Sequence, residues 1–249
     1  MYKKMNCFER LYFGTWQLGG QFKNLSSTYI ESLLLFAISS GIRRFDTAAV
    51  YGGGKVEEIL GSCMPEDAVI VTKIPAIKKP DLRTPAPVNE FYSPDHLDQS
   101  VESSLNRLKR TQIDAVLLHN WLPLWSSDAV FILQHLQRMK DSGIARKVGI
   151  SLPDDFSSDI SDEVLPYIDV IEAPFNPNQR WILNQLPSML AMKKEILLRS
   201  LFCQGKLLTT HPAELLVKDA LQLKTSIVIG MTTEEQITRN INYLKGVVT

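Results

Sequence analysis

The chain is poor in cysteine. Its 249 residues hold three, Cys7, Cys63 and Cys203, far apart and odd in number. They offer neither a disulfide framework nor the paired spacing of a zinc site, and that usage fits a reducing cytoplasm. Net charge is missing as well. The 27 Lys and Arg balance 27 Asp and Glu, which removes the electrostatic case for nucleic acid or an anionic membrane as partner. No run approaches the roughly 18 apolar residues that a membrane span needs. Lys3 and Lys4 are not followed by the unbroken apolar stretch of a secretion signal. Phosphate-loop spacing is absent too. "WQLGGQF" lacks the G-x-G-x-x-G pattern, and in "YGGGK" Val56 follows the lysine where a phosphate loop needs Ser or Thr. His96, His135 and His211 have no partners at ligand spacing, so no metal is expected.

What is present is a regular alternation. With 45% hydrophobic residues the chain can bury one sizeable core, and no linker or low-complexity tract divides it, so residues 1–249 are expected to form one domain. Eight short β-type runs recur: "YFGTWQL", "IRRFDTA", "AVIVTKI", "IDAVLLH", "ARKVGIS", "DVIEAPF", "EILLRSL" and "SIVIGM". Helical patterns lie between most of them. "STYIESLLLFAISSG" sets Ile30, Leu33, Leu34 and Ala37 on one face and stops at Gly41. "SPDHLDQSVESSLNRLKR" and "DAVFILQHLQRMKDSG" repeat the pattern. Strands alternating with helices need crossover connections and lie parallel, and eight such units predict a (β/α)8 barrel, the TIM-barrel fold. An open doubly wound sheet is the alternative, weakened by the missing glycine fingerprint.

In such a barrel the carboxyl ends of the strands converge on one mouth. Asp46 ends the second run, Tyr51 sits on the loop behind it, Lys73 ends the third and His119 the fourth. Taken singly, a strand-end Asp is usually a helix cap, a Lys is solvated and a His is structural. Together they would face one cavity, and their chemistry is linked. A lysine ammonium beside a phenol favours the phenolate, an aspartate holds the ammonium charged, and a histidine orients an oxygen. Glu57 and Glu58 in "GGGKVEEILG" are expected to favour the start of a helix through its dipole. Trp121 and Trp125, in "HNWLPLW", are expected to wall a substrate pocket, with Trp16 as a further contact.

From "FGTWQLGG" to "GMTTEEQITRN" the sequence resembles the aldo-keto reductases, through "DTAAVYGGGKVEEILG", "VTK" and "LLHN". "RSLFCQGKLL" and "APFNPNQR" resemble bacterial members found with sugar and polysaccharide biosynthesis. The resemblance implies a catalytic tetrad of Asp46, Tyr51, Lys73 and His119. It also implies a nicotinamide cofactor, NADPH or NADH, near Ser151, Glu172, Arg199, Ser200, Gly205, Gln236 and Asn240. The expected reaction is reduction of a small carbonyl compound, with sugar-like substrates suggested by the subgroup. Three positions depart from the family pattern: Leu152 replaces the usual Asn, Glu172 the usual Gln, and Thr232 a basic residue that often meets the NADP phosphate. Thr232 leaves NADPH against NADH open, Leu152 and Glu172 keep in view a non-redox enzyme acting beside a carbonyl, and a cofactor-binding regulatory barrel is a third reading. The closing loop of longer relatives is missing after "EEQITRNINYLKG", which leaves the site open or completed by a partner subunit.

Overall fold

A computed structural model describes residues 7–81, 86–125, 128–156 and 158–246. Eight parallel strands close on themselves in sequence order, from β1 through β8 and back to β1. They are β1 (Leu11–Gly14), β2 (Arg44–Asp46), β3 (Val69–Ile74), β4 (Ile113–His119), β5 (Ala145–Ser151), β6 (Val170–Pro174), β7 (Glu195–Arg199) and β8 (Ser226–Gly230). The surrounding helices are α1 (Ser27–Ser39), α2 (Lys55–Cys63), α3 (Pro94–Leu108), α4 (Val130–Asp141), α5 (Ile182–Ala191), α6 (Ala213–Gln222) and α7 (Glu234–Gly246). The expected barrel is therefore present. Between β5 and β6 the described residues carry only a 3-10 turn, Leu165–Tyr167. None of the described helices is long and apolar enough to cross a membrane.

Local chemistry sets the helix ends. Ser26 caps α1 by accepting from the Tyr29 amide at 3.2 Å, and Ser93 caps α3 by accepting from the His96 amide at 3.3 Å, with Pro94 in the first turn. The buried face of α1 is the expected one, Ile30, Leu33, Leu34 and Ala37. The first strand is shorter than its sequence run. Thr15, with ψ 2°, leaves the extended backbone, and Trp16–Gly19 form a 3-10 helix that Gly20 closes with a left-handed φ of 92°.

Period two along the strands sorts the interior. Tyr12, Val71, Ala115, Leu117, Val170, Leu197 and Val228 form one apolar cluster inside the barrel, distinct from the layer between strands and helices. One step of two residues beyond this cluster lie Lys73, His119, Glu172 and Arg199. The polar mouth is thus built directly on the apolar plug.

Gly149 lets β5 fit this interior. A Cβ there would lie 1.9 Å from the Val170 carbonyl oxygen and 3.0 Å from a Leu117 methyl. Neither the backbone nor the plug can yield that much, so Gly149→Ala should force β5 from β6. We expect a loss of about 3 kcal/mol in urea unfolding. A loss below about 1 kcal/mol would show that the strand pair is more compliant than this packing implies.

Candidate active site

The loop after β2 positions Tyr51. Gly52, Gly53 and Gly54 all take left-handed φ values of 58°, 65° and 93°, a turn that other residues enter at a cost. The turn leaves the Tyr51 ring buried at the mouth, with its edge toward His119 and ring centroids 6.2 Å apart. Lys73 lies beneath, its Nζ 5.7 Å from the Tyr51 ring centroid. The ammonium donates to Asp46 Oδ2 at 2.6 Å and to the Thr47 carbonyl at 3.0 Å. A second carboxylate, Glu172, places Oε2 at 3.2 Å from the same nitrogen.

Glu172 is the crossing point of the site. Its Oε1 accepts from Ser151 Oγ at 3.0 Å and pairs with Arg199 Nε at 3.1 Å. Its buried Oε2 accepts no hydrogen bond among the described residues despite the ion pair with Lys73. Arg199 is held along its whole edge. Asp154 and the Leu152 carbonyl accept from its two terminal nitrogens, and Ser200 Oγ accepts at 2.8 Å. Asp154 also accepts from Ser200 at 2.9 Å. Charges of alternating sign therefore run from Asp46 through Lys73, Glu172 and Arg199 to Asp154.

The electrostatic outcome differs from the sequence expectation for Tyr51. Lys73 does pull toward phenolate, but burial opposes it and the Asp46 and Glu172 carboxylates add to the opposition, pushing Tyr51 up to about 12. His119 goes the other way. Burial, followed by the Lys73 charge, brings it down to about 3, so the imidazole is neutral at pH 7. Burial disfavours the charged form of Lys73, yet Asp46 and Glu172 outweigh it and the amine binds its proton more tightly than a free lysine. Burial and the Glu172 charge raise Asp46, against the pull of Lys73. Burial also acts to raise Glu172, but Lys73 and Arg199 prevail and hold it below the usual carboxylate range.

These groups floor a cavity of about 770 Å³ at the carboxyl ends of the strands. Asp46, Tyr51, His119, Glu172, Arg199, Ser200, Gly205, Gln236 and Trp16 line it, while Lys73 and Ser151 are buried just behind. Asn240 is buried on α7 and does not line the cavity. Gln236 does, but its Oε1 already accepts from the Thr232 amide at 2.7 Å, in a turn where Thr233 caps α7. Trp121 and Trp125 do not wall the cavity. They are 1% and 0% exposed and pack edge to face with centroids 5.6 Å apart. Trp125 Nε1 donates to the Ala86 carbonyl at 3.0 Å, and its ring meets Phe91 and Tyr92. Trp125 thus anchors the segment before α3, and Trp121 packs against it. The aromatic wall is instead Trp16 with Phe22, edge to face at 5.2 Å.

Sequence reasoning missed Asp154, Gln17, Phe22 and Lys79 at this cavity. Asp154 was accessible in principle, three residues past the end of a strand that supplies Ser151. Glu57 also has a different role from the dipole expected of it. It is fully buried and accepts from Thr72 at 2.6 Å, Arg107 at 2.7 Å and Ser104 at 3.2 Å, tying α2 to β3 and α3.

The residues fit a nicotinamide cofactor. The Glu172 Oε2 acceptor is buried and unbonded at the cavity wall, which suits the N–H of a carboxamide. Arg199 is fixed by its edges, which suits a flat ring against its face.

A closed parallel barrel whose ionic groups gather where its strands end is the architecture of the (β/α)8 class. Within that class the chain belongs to the aldo/keto reductase family, whose model matches residues 10–186. It is 32% identical over 167 residues to the uncharacterized oxidoreductase YcsN of Bacillus subtilis, covering 64% of this chain and 54% of that protein. It is 29% identical over 157 residues to 6-dehydroglucose reductase of Agrobacterium fabrum, covering 59% and 52%. The chain spans about half the length of these curated relatives. Among solved structures, the holo form of aldo-keto reductase AKR11C1 from Bacillus halodurans aligns with a TM-score of 0.76 at 19% identity, over 95% of this chain and 86% of that one. An aldo-keto reductase from Klebsiella pneumoniae in complex with NADPH aligns with a TM-score of 0.71 at 18% identity, over 95% and 85%. At these identities the structures establish the shared fold.

The state of His119 has a stability consequence. The unfolded chain takes a proton there near pH 6.5, and the folded chain refuses it down to about 3. Stability therefore falls as pH falls through that window. Between pH 6.5 and 5 this one group should account for about 1.5 kcal/mol. His119→Gln should flatten the urea-unfolding stability over that interval by the same amount. An unaltered pH slope would mean that His119 titrates normally in the fold.

Proposed function

We propose that the chain reduces a carbonyl compound to an alcohol, with Tyr51 giving the proton to the carbonyl oxygen. The observation that carries this reading is the Tyr51 phenol set beside the His119 imidazole on one cavity floor, above a buried ammonium. A phenol with a raised pKa is protonated at any physiological pH and is ready to donate. The His119 imidazole, uncharged and beside it, can hydrogen-bond the same oxygen and set its direction. Lys73 and its carboxylates fix the distance between these groups and the strands. Burial at the floor excludes water, which strengthens each polar contact to the oxygen.

A nicotinamide cofactor, when bound, supplies the hydride. Glu172, Arg199, Ser200, Gly205 and Gln236 line the cavity and would hold it, with Ser151 supporting Glu172. Asn240 lies further back, and its contribution is indirect. A Schiff base on Lys73 is disfavoured, because a nucleophilic amine must be unprotonated and this one is held as an ammonium. The substrate class we favour is a small polar aldehyde or ketone. Gln17, Gln21, Asn120 and Lys79 offer polar contacts at the cavity, and Trp16 with Phe22 offers an aromatic face. That mixture suits a sugar-like carbonyl, in keeping with the similarity to 6-dehydroglucose reductase.

Two measurements test the reading. Tyr51→Phe removes one hydroxyl and should lower turnover of an aldehyde by about a hundredfold or more, with cofactor affinity unchanged. Full activity in this variant would remove Tyr51 as donor. Titration of NADPH and NADH, by tryptophan fluorescence backed by calorimetry, should show binding of at least one. Thr232 brings no charge to a 2'-phosphate, and a charge-assisted contact is worth about 1.5–3 kcal/mol, or tenfold to a hundredfold. A preference for NADPH should therefore stay below about a hundredfold. Absence of binding by both methods would sink the reductase reading.

A further inference from the structure

Glu172 does more than line a cavity. An ammonium has three N–H donors, and Lys73 gives two of them to Asp46 and the Thr47 carbonyl. Glu172 Oε2 stands 3.2 Å from the same nitrogen, which also lies 5.7 Å from the Tyr51 ring centroid. The carboxylate is 1% exposed and is kept in place from the other side by Ser151 and Arg199. An amide of the same size at this position would leave Lys73 with a single ionic partner, Asp46. The carboxylate gives it two.

We propose that Glu172 is a positioning residue that competes with Tyr51 for the Lys73 ammonium, and thereby keeps Tyr51 a phenol in the resting barrel mouth. This rests on the reductase reading above and deepens it by assigning the group that holds the donor protonated before reduction. In the direction of reduction, Tyr51 must begin as a phenol. In the reverse direction, an alcohol must lose its proton to a phenolate, which a free Lys73 charge would stabilise. Glu172 withholds that charge.

The charged and titratable groups facing this centre come from each side of the barrel. Asp46 comes from β2, Lys73 from β3, His119 from β4, Arg199 from β7 and Asp154 from the loop after β5. Gly14 of β1 and Gly230 of β8 bring no charge. Lys79 lines the cavity from the loop after β3. Of the anions, Asp46 and Glu172 are the ones that touch the ammonium. Burial is the largest influence keeping the proton on Tyr51, and Glu172 is one of two carboxylates that reinforce it. Its removal is the change that leaves burial nearly untouched.

The test is the ultraviolet titration of tyrosinate in the chain without cofactor or substrate. Tyr51 is isolated by subtracting the matching Tyr51→Phe titration. In the wild-type background, Tyr51 should show no ionisation below about pH 11. In Glu172→Gln its midpoint should fall by about one unit or more, and Glu172→Asp, which keeps the charge, should restore most of the difference. Coincident midpoints in wild type and Glu172→Gln would overturn the proposal. If Glu172→Gln does not fold, carbon-13 NMR of the glutamate carboxyls in the wild-type chain decides, with the Glu172 signal identified by its loss in Glu172→Asp. An ionised Glu172 at pH 7 supports the proposal, and a neutral one overturns it. Neither measurement involves reduction of a carbonyl, so failure here is distinct from failure of the reductase reading.

Discussion

One buried cation organises the mouth of this barrel. Lys73 is 1% exposed, and an ammonium removed from water costs several kcal/mol unless its charge is answered at close range. The answer comes from Asp46 on β2 and Glu172 on β6, across the barrel from each other's neighbours. Two carboxylates overcompensate one ammonium, so Arg199 on β7 must follow, and Asp154 follows Arg199. Each ion is tolerable because of the next. Removing any inner member would strand a buried charge, at a cost of about 3–5 kcal/mol. The chain of ions therefore fixes which residue types can end four different strands.

The same strand period that places these ions also explains why they sit on an apolar layer. The seven-residue plug below them, from Tyr12 to Val228, excludes water from beneath. At the opposite end of the barrel, the interior turns polar again. Tyr12 Oη donates to Glu195 at 2.9 Å and accepts from Arg44 at 3.0 Å, and Lys147 completes the group. That end is partly open to solvent, and its ions need less mutual support. The mouth is the end at which burial and charge coincide, and this is why pKa values diverge there. A phenol held near 12 and an imidazole held near 3 stand side by side.

Much of this was legible in the sequence, and the losses have identifiable causes. Period two and alternation with helices predicted the barrel, and β4 and β5 match their runs "IDAVLLH" and "ARKVGIS" end to end. Asp46, Tyr51, Lys73 and His119 were readable because strand ends converge by topology. Residues on loops were harder to place. Trp121 and Trp125 follow a strand end, but the turn at Asn120, with φ 63°, and the 3-10 turn Pro123–Trp125 bury both rings, and the Ala86 carbonyl and Phe91 meet Trp125. Phe22 and Asp154 reach the cavity through irregular backbone that no period describes. Glu57 reads as a first-turn acid because its three partners, Thr72, Ser104 and Arg107, come from β3 and α3. The raised pKa of Tyr51 follows first from its burial, which a loop position does not announce, and then from the Asp46 and Glu172 carboxylates, the latter arriving from β6 far along the chain.

The central claim is that this mouth hands a proton to a carbonyl oxygen while the carbon receives hydride. Reduced nicotinamide carrying two deuteriums at C4, incubated with the chain and a small polar aldehyde in ordinary water, tests it most directly. The account predicts one deuterium on the carbinol carbon per alcohol formed, in step with cofactor oxidised, and none lost to solvent. An alcohol product without deuterium, or turnover with no cofactor oxidised, would contradict it.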